Sequence, residues 1–152
     1  YGVPYLPGSG VKGMTRHFAE HWADVRPDQA RLDHIFGPRL EPGEEGGTAG
    51  SMVFFDALPA PEVALEFDVM TPHYSPWYKS FANAPGDWHN PTPIKFLTVK
   101  AGTKFHFGIA PRRPRDAEAT SDRGKVQEWL TAALAWIGAG AKTGKGYGRF
   151  TT

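Results

Sequence analysis

The sequence contains no cysteine, so disulfide bonds and thiolate metal sites are excluded. It contains no apolar run approaching the roughly twenty residues that a membrane-spanning helix requires. No signal-peptide pattern opens the sequence either. These absences fit a cytosolic protein, and we therefore expect a cytoplasmic location.

What is present indicates a packed globule rather than a disordered chain, because hydrophobic residues make up 40% and aromatic residues 13% of the sequence. A length of 152 residues is enough for one hydrophobic core but not for two. We therefore predict a single domain over residues 1–152. The 18 glycines and 14 prolines predict that much of this domain is loop.

The net charge of +1 hides a strong asymmetry along the chain. Residues 1–94 carry six Lys and Arg against twelve Asp and Glu, whereas residues 95–152 carry eleven against four. An acidic N-terminal part followed by a basic C-terminal part predicts a molecule with one face suited to binding a polyanion. A chance asymmetry spread over solvated faces remains an alternative.

Apolar residues at helical spacing predict a first helix that begins after Ser9 and ends before Pro27. Ser9 is its expected N-cap. The residues that define its apolar face are Val11, Met14, Phe18, Trp22 and Val25. Residues 37–50 lack any periodicity and predict an exposed acidic loop, with its carboxylates concentrated in residues 41–50.

Alternating apolar residues and turn signals predict four strands in the rest of the chain. Apolar residues at helical spacing predict a second helix over residues 122–138, capped by Ser121 or Asp122. The strands are expected at residues 51–58, 63–70, 94–99 and 104–109, with a further short one at 147–152. The segments 94–99 and 104–109 read as a hairpin joined by residues 100–103. Asp56 and Asp68 lie on neighbouring predicted strands, where carboxylates are most often solvent-exposed.

This order of elements predicts an α+β fold of the ferredoxin-like or RNA-recognition-motif type, in which two helices back an antiparallel sheet. That fold requires a strand before its first helix, and only "YGVPY" precedes it here. We therefore expect that the first strand is missing from this chain.

The segment "GAKTGKGYGRF", residues 140–150, raises three interpretations. A phosphate-binding P-loop is excluded, because positions 139 and 146 are Ala and Gly and because this segment follows a helix instead of preceding one. "KGYG" matches the opening of the RNA-recognition signature, but Arg149 stands where an aromatic belongs. A helix C-cap at Gly138 or Gly140 followed by a solvated turn explains the glycines equally well.

Two further patterns have a functional and a structural interpretation each. "HFAEH", residues 17–21, spells an inverted zincin motif, but two surface histidines beside a core stripe are the simpler reading, and no metal is predicted. Residues 71–93 form a long stretch rich in Pro, aromatics and His, predicted as a loop insertion. Its aromatics either stack on bases or a partner protein, or fold back onto the core.

In their order along the chain, five segments resemble the RAMP superfamily of CRISPR-associated proteins, and within it the sixth-subunit family of the type III-B Cmr complex. The resemblance covers nearly the whole sequence and is carried by "YLPGSGVKGMTR", "GSMVFFDALP", "FDVMTPHYSPWY", "NPTPIKFLTVKAGTKFHFGI" and "WIGAGAKTGKGYGRF".

The resemblance implies an RNA-recognition-like domain with a glycine-rich loop after its second helix, acting as a non-catalytic subunit at the 3′ end of the filament that carries the guide RNA. Implied partners are guide RNA, the backbone nuclease subunit, the small helical subunit and a second RAMP subunit; no cofactor is implied. The implied RNA-binding residues are Ser9, Gly10, Lys12, Arg16, Gly140, Lys142, Gly144, Lys145, Gly146, Tyr147, Gly148 and Arg149. Residues implied to contact RNA or a partner are His73, Tyr74, Trp77 and Tyr78.

An enzyme remains the alternative function. Metal-independent endoribonucleases that process CRISPR repeat RNA share this fold, and such an enzyme would use His17, His73 or His89 together with Lys145. Histidine suits the general acid–base role in RNA cleavage, because its unperturbed pKa lies near neutrality.

Overall fold

The computed structural model describes residues 2–40, 42–44, 46–81, 84–86 and 88–151. The described helices are α1 (Gly8–His21), α2 (Gln29–Phe36), α3 (Ser75–Ser80) and α4 (Ala117–Trp136), with a short 3-10 helix at Thr143–Lys145. The strands are β1 (Met52–Phe54), β2 (Leu58–Pro59), β3 (Leu65–Met70), β4 (Ile94–Val99), β5 (Phe105–His106) and β6 (Ile109–Pro111). None of the helices among the described residues is both long enough and apolar enough to cross a membrane.

The structure confirms the mixed α+β class with antiparallel strand pairs. β1 pairs with β6, β2 with β5, and β3 with β4. The predicted hairpin between β4 and the next strand is therefore wrong, since β4 pairs with β3 instead. The register explains this choice, because it sets Leu65 opposite Val99 and Phe67 opposite Leu97, and apolar cross-strand pairs stabilise a ladder.

Both long helices begin earlier than the sequence predicted. α1 begins at Gly8 after Pro7, so Ser9 lies inside the helix and does not cap it. α4 begins at Ala117, and the Asp116 carboxylate accepts a hydrogen bond from the backbone N–H of Ala119 at 3.0 Å. The predicted caps, Ser121 and Asp122, therefore lie within the second turn of α4.

α2 was not predicted at all. The Asp28 side chain caps it by accepting a hydrogen bond from the backbone N–H of Arg31 at 2.8 Å. Asp28 directly follows Pro27, which the sequence marked as the end of the first helix. α2 contributes Ile35 and Phe36 to the core, each 1% exposed. The described residues of the predicted loop at 37–50 form neither helix nor strand.

The chain divides into two compact units, and the larger comprises residues 2–58 and 105–152. Its core has two clusters. One gathers around Phe36, Met52 and Val126, and the other around Val11 and Leu130. α1 and α4 pack against each other, and α4 packs against β6, so both helices cover the β1–β6 pair. The prediction that the chain is one RAMP domain stays a prediction.

The smaller unit comprises residues 59–104 and contains the β3–β4 ribbon and α3. The predicted long loop at residues 71–93 is partly wrong, because Ser75–Ser80 form a short helix within it. Large apolar side chains remain exposed on the ribbon, among them Phe67 at 75% and Leu97 at 59%. Within this unit the ribbon therefore leaves one apolar face uncovered.

Candidate nucleic-acid interface

The N-terminus of α1 is capped by the carboxylate of Asp56, which follows β1, rather than by a side chain next to the helix in sequence. The backbone N–H of Gly8 donates to Asp56 Oδ1 at 2.7 Å. Gly8 is needed here, since a Cβ atom at this position would overlap the carbonyl of Phe54. Asp56 thus satisfies one of the unpaired N–H groups of the helix start and places a negative charge at the positive end of its dipole.

One face of the first two turns of α1 carries almost no side chain. Ser9, Gly10 and Gly13 are all exposed. A Cβ atom at Gly13 would meet no atom within 4 Å, so the packing of the fold does not require glycine there. Glycine in a helix interior costs about 1 kcal/mol relative to alanine. A bare helix face is what close approach of a ligand backbone requires.

Lys12, next to this face, lies among cations. Its pKa is lowered, first by burial and then by the positive charges of Arg16 and Arg112. Arg112 is exposed, and its Nε donates to the carbonyl of Gly50 at 2.9 Å, which fixes the guanidinium near the end of the β1–β6 pair. Because cations held together repel one another, an anion beside Lys12 and Arg112 would relieve this unfavourable arrangement.

Arg112 was not among the RNA-binding residues predicted from the sequence. The signal was the run "RRPR", which follows directly on β6. A basic run leaving the end of a strand is positioned by that strand, so its first residue is held in place while the rest remain exposed.

Arg16 has a different setting from the exposed one that RNA contact requires. Its side chain is only 9% exposed and its guanidinium donates to three protein acceptors. These are Glu20 Oε1 at 2.7 Å, the carbonyl of Gly37 at 2.6 Å and Asp33 Oδ1 at 3.1 Å. Arg16 therefore joins α1 to the end of α2, and we assign it to the core of the larger unit rather than to an RNA contact.

The glycine-rich segment forms a closed loop after α4. The backbone N–H of Ala139 donates to the carbonyl of Gly148 at 2.8 Å, which joins the two ends of the loop. Gly138 and Gly148 have φ angles of 82° and 67°, in the left-handed region that favours glycine. Beyond the loop, the Phe150 ring meets the rings of Phe105 and Phe107 edge-on, and this contact holds the loop's exit on the core. The strand predicted at residues 147–152 is not formed by its described residues.

The tip of this loop is the exposed 3-10 helix Thr143–Lys145. Gly144 and Lys145 are exposed there, and Gly146 follows with a φ of 95°. Lys142, which precedes the helix, has a φ of 62°, an uncommon value for a residue other than glycine. The loop therefore presents backbone and the Lys145 side chain at its tip.

Arg149 serves α4 instead of the loop tip. Its guanidinium donates to the carbonyls of Ala135, at 3.1 Å, and Trp136. These carbonyls belong to the last turn of α4, where backbone acceptors lack helical partners and a cation is favourable. We therefore assign Arg149 to capping α4, not to RNA contact.

Leu6 brings the loop and the start of α1 into one neighbourhood. A Cβ atom at Gly140 would lie 4.0 Å from Leu6 Cδ2, and Leu6 packs against the same core cluster as Ala139 and Phe150. Leu6 also pairs with Ala57 two residues before α1 begins. The structure thus places the two predicted RNA-binding segments, around residues 9–12 and 140–148, in the same unit and against a shared residue.

The aromatic residues predicted to contact RNA or a partner lie in the smaller unit, around α3. They pack mainly on one another: Tyr74 meets the rings of His73 and His89 at 6.3 and 6.2 Å, and the Trp77 ring meets that of Phe81 at 5.2 Å. Tyr78 is 68% exposed, and Trp88, which meets the ring of His89 at 5.9 Å, is 75% exposed.

The "HFAEH" motif lies on the last turns of α1. The rings of His17 and His21, both exposed, are 4.6 Å apart, and together with Glu20 they form a group of potential metal ligands. Glu20, however, is already bound by two arginines, through Oε1 to Arg16 and through Oε2 to Arg39 at 2.7 and 2.6 Å. A cation here would face two guanidinium groups, so we propose no metal at this motif.

Comparison with known proteins gives a consistent result. The family model of the RAMP superfamily matches residues 1–151. The CRISPR system Cmr subunit Cmr6 of Pyrococcus furiosus is 35% identical over an alignment 203 residues long. The alignment covers 98% of this chain and 58% of that protein. This chain thus spans little more than half the length of that relative.

Two solved structures are similar as well. A chain in the cryo-EM structure of the Type III-B Cmr-beta bound to cognate target RNA matches with a TM-score of 0.68 and 25% identity, over 96% of this chain and 44% of that chain. The crystal structure of Cmr6 from Pyrococcus furiosus matches with a TM-score of 0.50 and 33% identity, over 98% of this chain and 83% of that chain.

Proposed function

This chain belongs to the RAMP superfamily, and from that premise we propose that it is a guide-RNA-binding subunit of a type III-B Cmr effector complex, in the position of Cmr6. In this proposal it is non-catalytic, cytoplasmic and located at the 3′ end of the guide-bearing filament. Its fold is of the ferredoxin-like, RNA-recognition type. Its neighbours are the backbone nuclease subunit, the small helical subunit and a second RAMP subunit.

The observation that carries the proposal is the cationic cluster of Lys12 and Arg112 beside the bare face of α1. The pKa of Lys12 is lowered first by burial and then by the positive charges of Arg16 and Arg112, and these residues lie in the unit that also holds the glycine-rich loop. Phosphates are the anions that RNA offers, and a helix face without side chains lets a ribose-phosphate backbone approach closely. The similarity to a chain of an RNA-bound Cmr complex supports the same conclusion.

The contacts proposed here are to the RNA backbone rather than to base edges. We propose that Lys12, Arg112 and the exposed Lys145 bind phosphates. The RNA backbone would approach α1 closely at Ser9, Gly10 and Gly13. The loop from Gly140 to Gly148 would lie beside this backbone. Backbone contacts carry no direct sequence information, so binding should tolerate many guide sequences and weaken with salt. The aromatics exposed around α3, Tyr78 among them, are proposed to contact RNA or a neighbouring subunit.

The charge proposal is tested by replacing Lys12 and Lys145 together with alanine. We expect weaker guide-RNA binding, and we expect the slope of log K against log salt to fall by about 0.7 for each lost contact with single-stranded RNA. Fluorescence anisotropy of labelled guide RNA over a salt series measures both quantities.

The matched control is the double variant Arg123→Ala/Lys125→Ala, which removes the same charge from the exposed surface of α4. It should leave the salt slope close to that of the wild type. If this control weakened RNA binding as much as the double lysine variant does, the attraction would belong to net charge and the proposed RNA path would be wrong.

The close-approach proposal is tested by Gly13→Ala. Alanine meets no neighbouring atom there and has the higher helix propensity, so we expect the free energy of unfolding to rise by about 1 kcal/mol. We expect guide-RNA affinity to fall in the same variant, because the added methyl group would stand between helix and phosphate.

Gly124→Ala is the matched control for this variant. Gly124 is an exposed glycine within α4 whose Cβ position is equally open. It should give the same gain in urea denaturation without any change in RNA binding. A Gly13→Ala protein that binds RNA as tightly as the wild type would contradict the role of this face.

A further inference from the structure

Two buried polar atoms face each other between α2 and α4 of the larger unit. His34 Nε2 and Asp122 Oδ2 lie 3.8 Å apart, and neither has a hydrogen-bond partner within the part of the chain that the structure describes. The Asp122 side chain is only 3% exposed. Buried polar atoms are nearly always paired, because leaving one unpaired costs free energy. A proton between these two atoms would pair both of them.

Arg31 holds the carboxylate of Asp122 in the orientation that this pairing requires. Its guanidinium donates to Asp122 Oδ1 and to Glu118 Oε1, the latter at 2.5 Å. Oδ2 is therefore the oxygen of Asp122 that is left for the imidazole of His34. The backbone of His34 is fixed as well, because its carbonyl accepts from the backbone N–H of Ser51 at 2.7 Å.

The charges around the pair favour one additional proton. The charged groups that act on Asp122 are Arg31 and His34 from α2 and Glu118 from α4. With a neutral imidazole, two carboxylates face one guanidinium, so one negative charge is left over. With a protonated imidazole the cluster is neutral. Asp28 lines the groove beside the cluster and adds a further negative charge there.

The place of His34 in the fold favours the same proton. His34 lies in the last turn of α2, where backbone carbonyls lack helical partners and a positive charge is favourable. Burial raises the pKa of Asp122, and this effect exceeds the lowering caused by Arg31 and His34. An ionised Asp122 beside a neutral imidazole is therefore the less favourable arrangement of the pair.

We propose that His34 and Asp122 form a pH-sensitive joint between α2 and α4. A proton held between His34 Nε2 and Asp122 Oδ2 closes the joint, and its loss opens it. In the closed form a charge-assisted bond of about 2.8 Å replaces the separation of 3.8 Å. The imidazole makes most of this movement, because the His34 side chain is 34% exposed whereas Asp122 is buried and held by Arg31.

The direction of the pH dependence follows from the two forms of the joint. In the unfolded chain a histidine loses its proton near pH 6.5 and an aspartate near pH 3.9, as order-of-magnitude references. In the folded chain, loss of the proton leaves two unpaired atoms facing each other, so the folded pair holds the proton to higher pH. Stability is therefore complete below about pH 6 and falls as the pH rises toward about 8. The raised pKa of Asp122 acts in the same direction.

The joint matters because α2 links α1 to α4. On its other side α2 is bound by Arg16 of α1, through Asp33 Oδ1 and the carbonyl of Gly37. When the joint opens, the polar contacts that remain between α2 and α4 among the described residues are the ion pairs of Arg31. Arg31 is 38% exposed, so these pairs are partly screened by solvent and α2 is held less firmly. This role is independent of RNA binding.

The test is urea denaturation of the full chain over a pH series, with two variants that replace the proton by a permanent N–H donor. In His34→Gln the side-chain amide donates to Asp122, and in Asp122→Asn it donates to His34 Nε2. Between about pH 6 and about pH 8 we expect the unfolding constant of the wild type to rise about tenfold more than that of either variant. His106→Gln is the matched control, because His106 is an exposed histidine of the same unit, and it should keep the wild-type pH dependence.

A second measurement needs no variant and decides the matter if the variants do not fold. In NMR spectra of the isotope-labelled wild-type chain, the imidazole nitrogen shifts of His34 and the carboxyl carbon shift of Asp122 should change over the same pH range, because one proton serves both groups. A wild type whose pH dependence equals that of both variants overturns the proposal. So does an Asp122 carboxyl signal that stays constant while the His34 signals change.

Discussion

Replacing Arg16 with alanine is expected to destabilise the chain by about 3 kcal/mol, whether or not RNA is present. The truncation leaves the carbonyl of Gly37, at the end of α2, without its buried donor. Removing one partner of a buried charged network costs about 3–5 kcal/mol. We expect the lower end, because the two carboxylates keep other partners, Glu20 with Arg39 and Asp33 with Gln29.

Urea denaturation of the isolated chain measures this effect as a lower midpoint with an unchanged slope. Arg39→Ala is the control: its guanidinium also binds Glu20 but is 65% exposed, so the variant should lose less than about 1 kcal/mol. An Arg16→Ala protein that denatures at the wild-type urea concentration yet binds guide RNA poorly would contradict this assignment and return Arg16 to the RNA surface.

Arg16 illustrates what the sequence allowed and what it did not. The 3.6-residue period identified α1, because that period records which residues face the core, but not its end: Trp22 and Val25, predicted on the apolar face, lie beyond His21 and are exposed. A basic residue at the edge of the apolar stripe is compatible with either a buried ion pair or a solvent-facing one. Two of its partners, Asp33 and the carbonyl of Gly37, lie on α2 and directly after it, and the sequence reading missed this helix. The burial of Arg16 was therefore not predictable from local pattern.

Strand pairing failed for a related reason. Alternation identified β3 and β4 as strands, since it depends only on neighbouring residues. Their mutual register depends on which apolar residues stand opposite one another over some thirty intervening residues. The short "KAGT" turn favoured the local hairpin, but the pairing of Phe67 with Leu97 stabilises the long-range ladder instead.

In the candidate interface, the glycine-rich loop was predictable from the sequence, whereas the hydrogen-bond partners of the arginine side chains were not. The glycine-rich segment does form a loop with an exposed Lys145 at its tip. Arg149 was assigned to RNA with the rest of the segment, yet it binds carbonyls of Ala135 and Trp136 thirteen or fourteen residues earlier. Arg112, which the sequence reading passed over, gains its importance from its charge, which helps lower the pKa of Lys12 from a distant part of the sequence.

Replacing Gly148 with alanine is expected to open the glycine-rich loop. The residue has a φ of 67°, where an L side chain costs about 1–2 kcal/mol. A Cβ atom would also overlap the carbonyl oxygen of Ala139, and overpacking of this kind costs about 1–3 kcal/mol. We therefore expect a loss of about 2–4 kcal/mol in the free energy of unfolding.

The site of the damage distinguishes this variant from a general loss of packing. The overlap falls on the residue whose N–H closes the loop, Ala139, so its 2.8 Å bond to the Gly148 carbonyl must lengthen or break. Hydrogen exchange should then show faster exchange of the Ala139 amide relative to the amides in the middle of α4, in addition to a lower urea midpoint.

Gly144→Ala tests whether the loop's base, rather than its glycine content, is what matters. Gly144 lies in the same loop, outside the positive-φ positions, and a Cβ atom there meets nothing within 4 Å. Its replacement should change stability by less than about 0.5 kcal/mol. If both variants weaken guide-RNA binding, the loop tip contacts RNA directly and its base positions it. If Gly148→Ala leaves stability and exchange unchanged, the closed loop described here is wrong, because no relaxation of Ala139 can accommodate the methyl group without disturbing that bond.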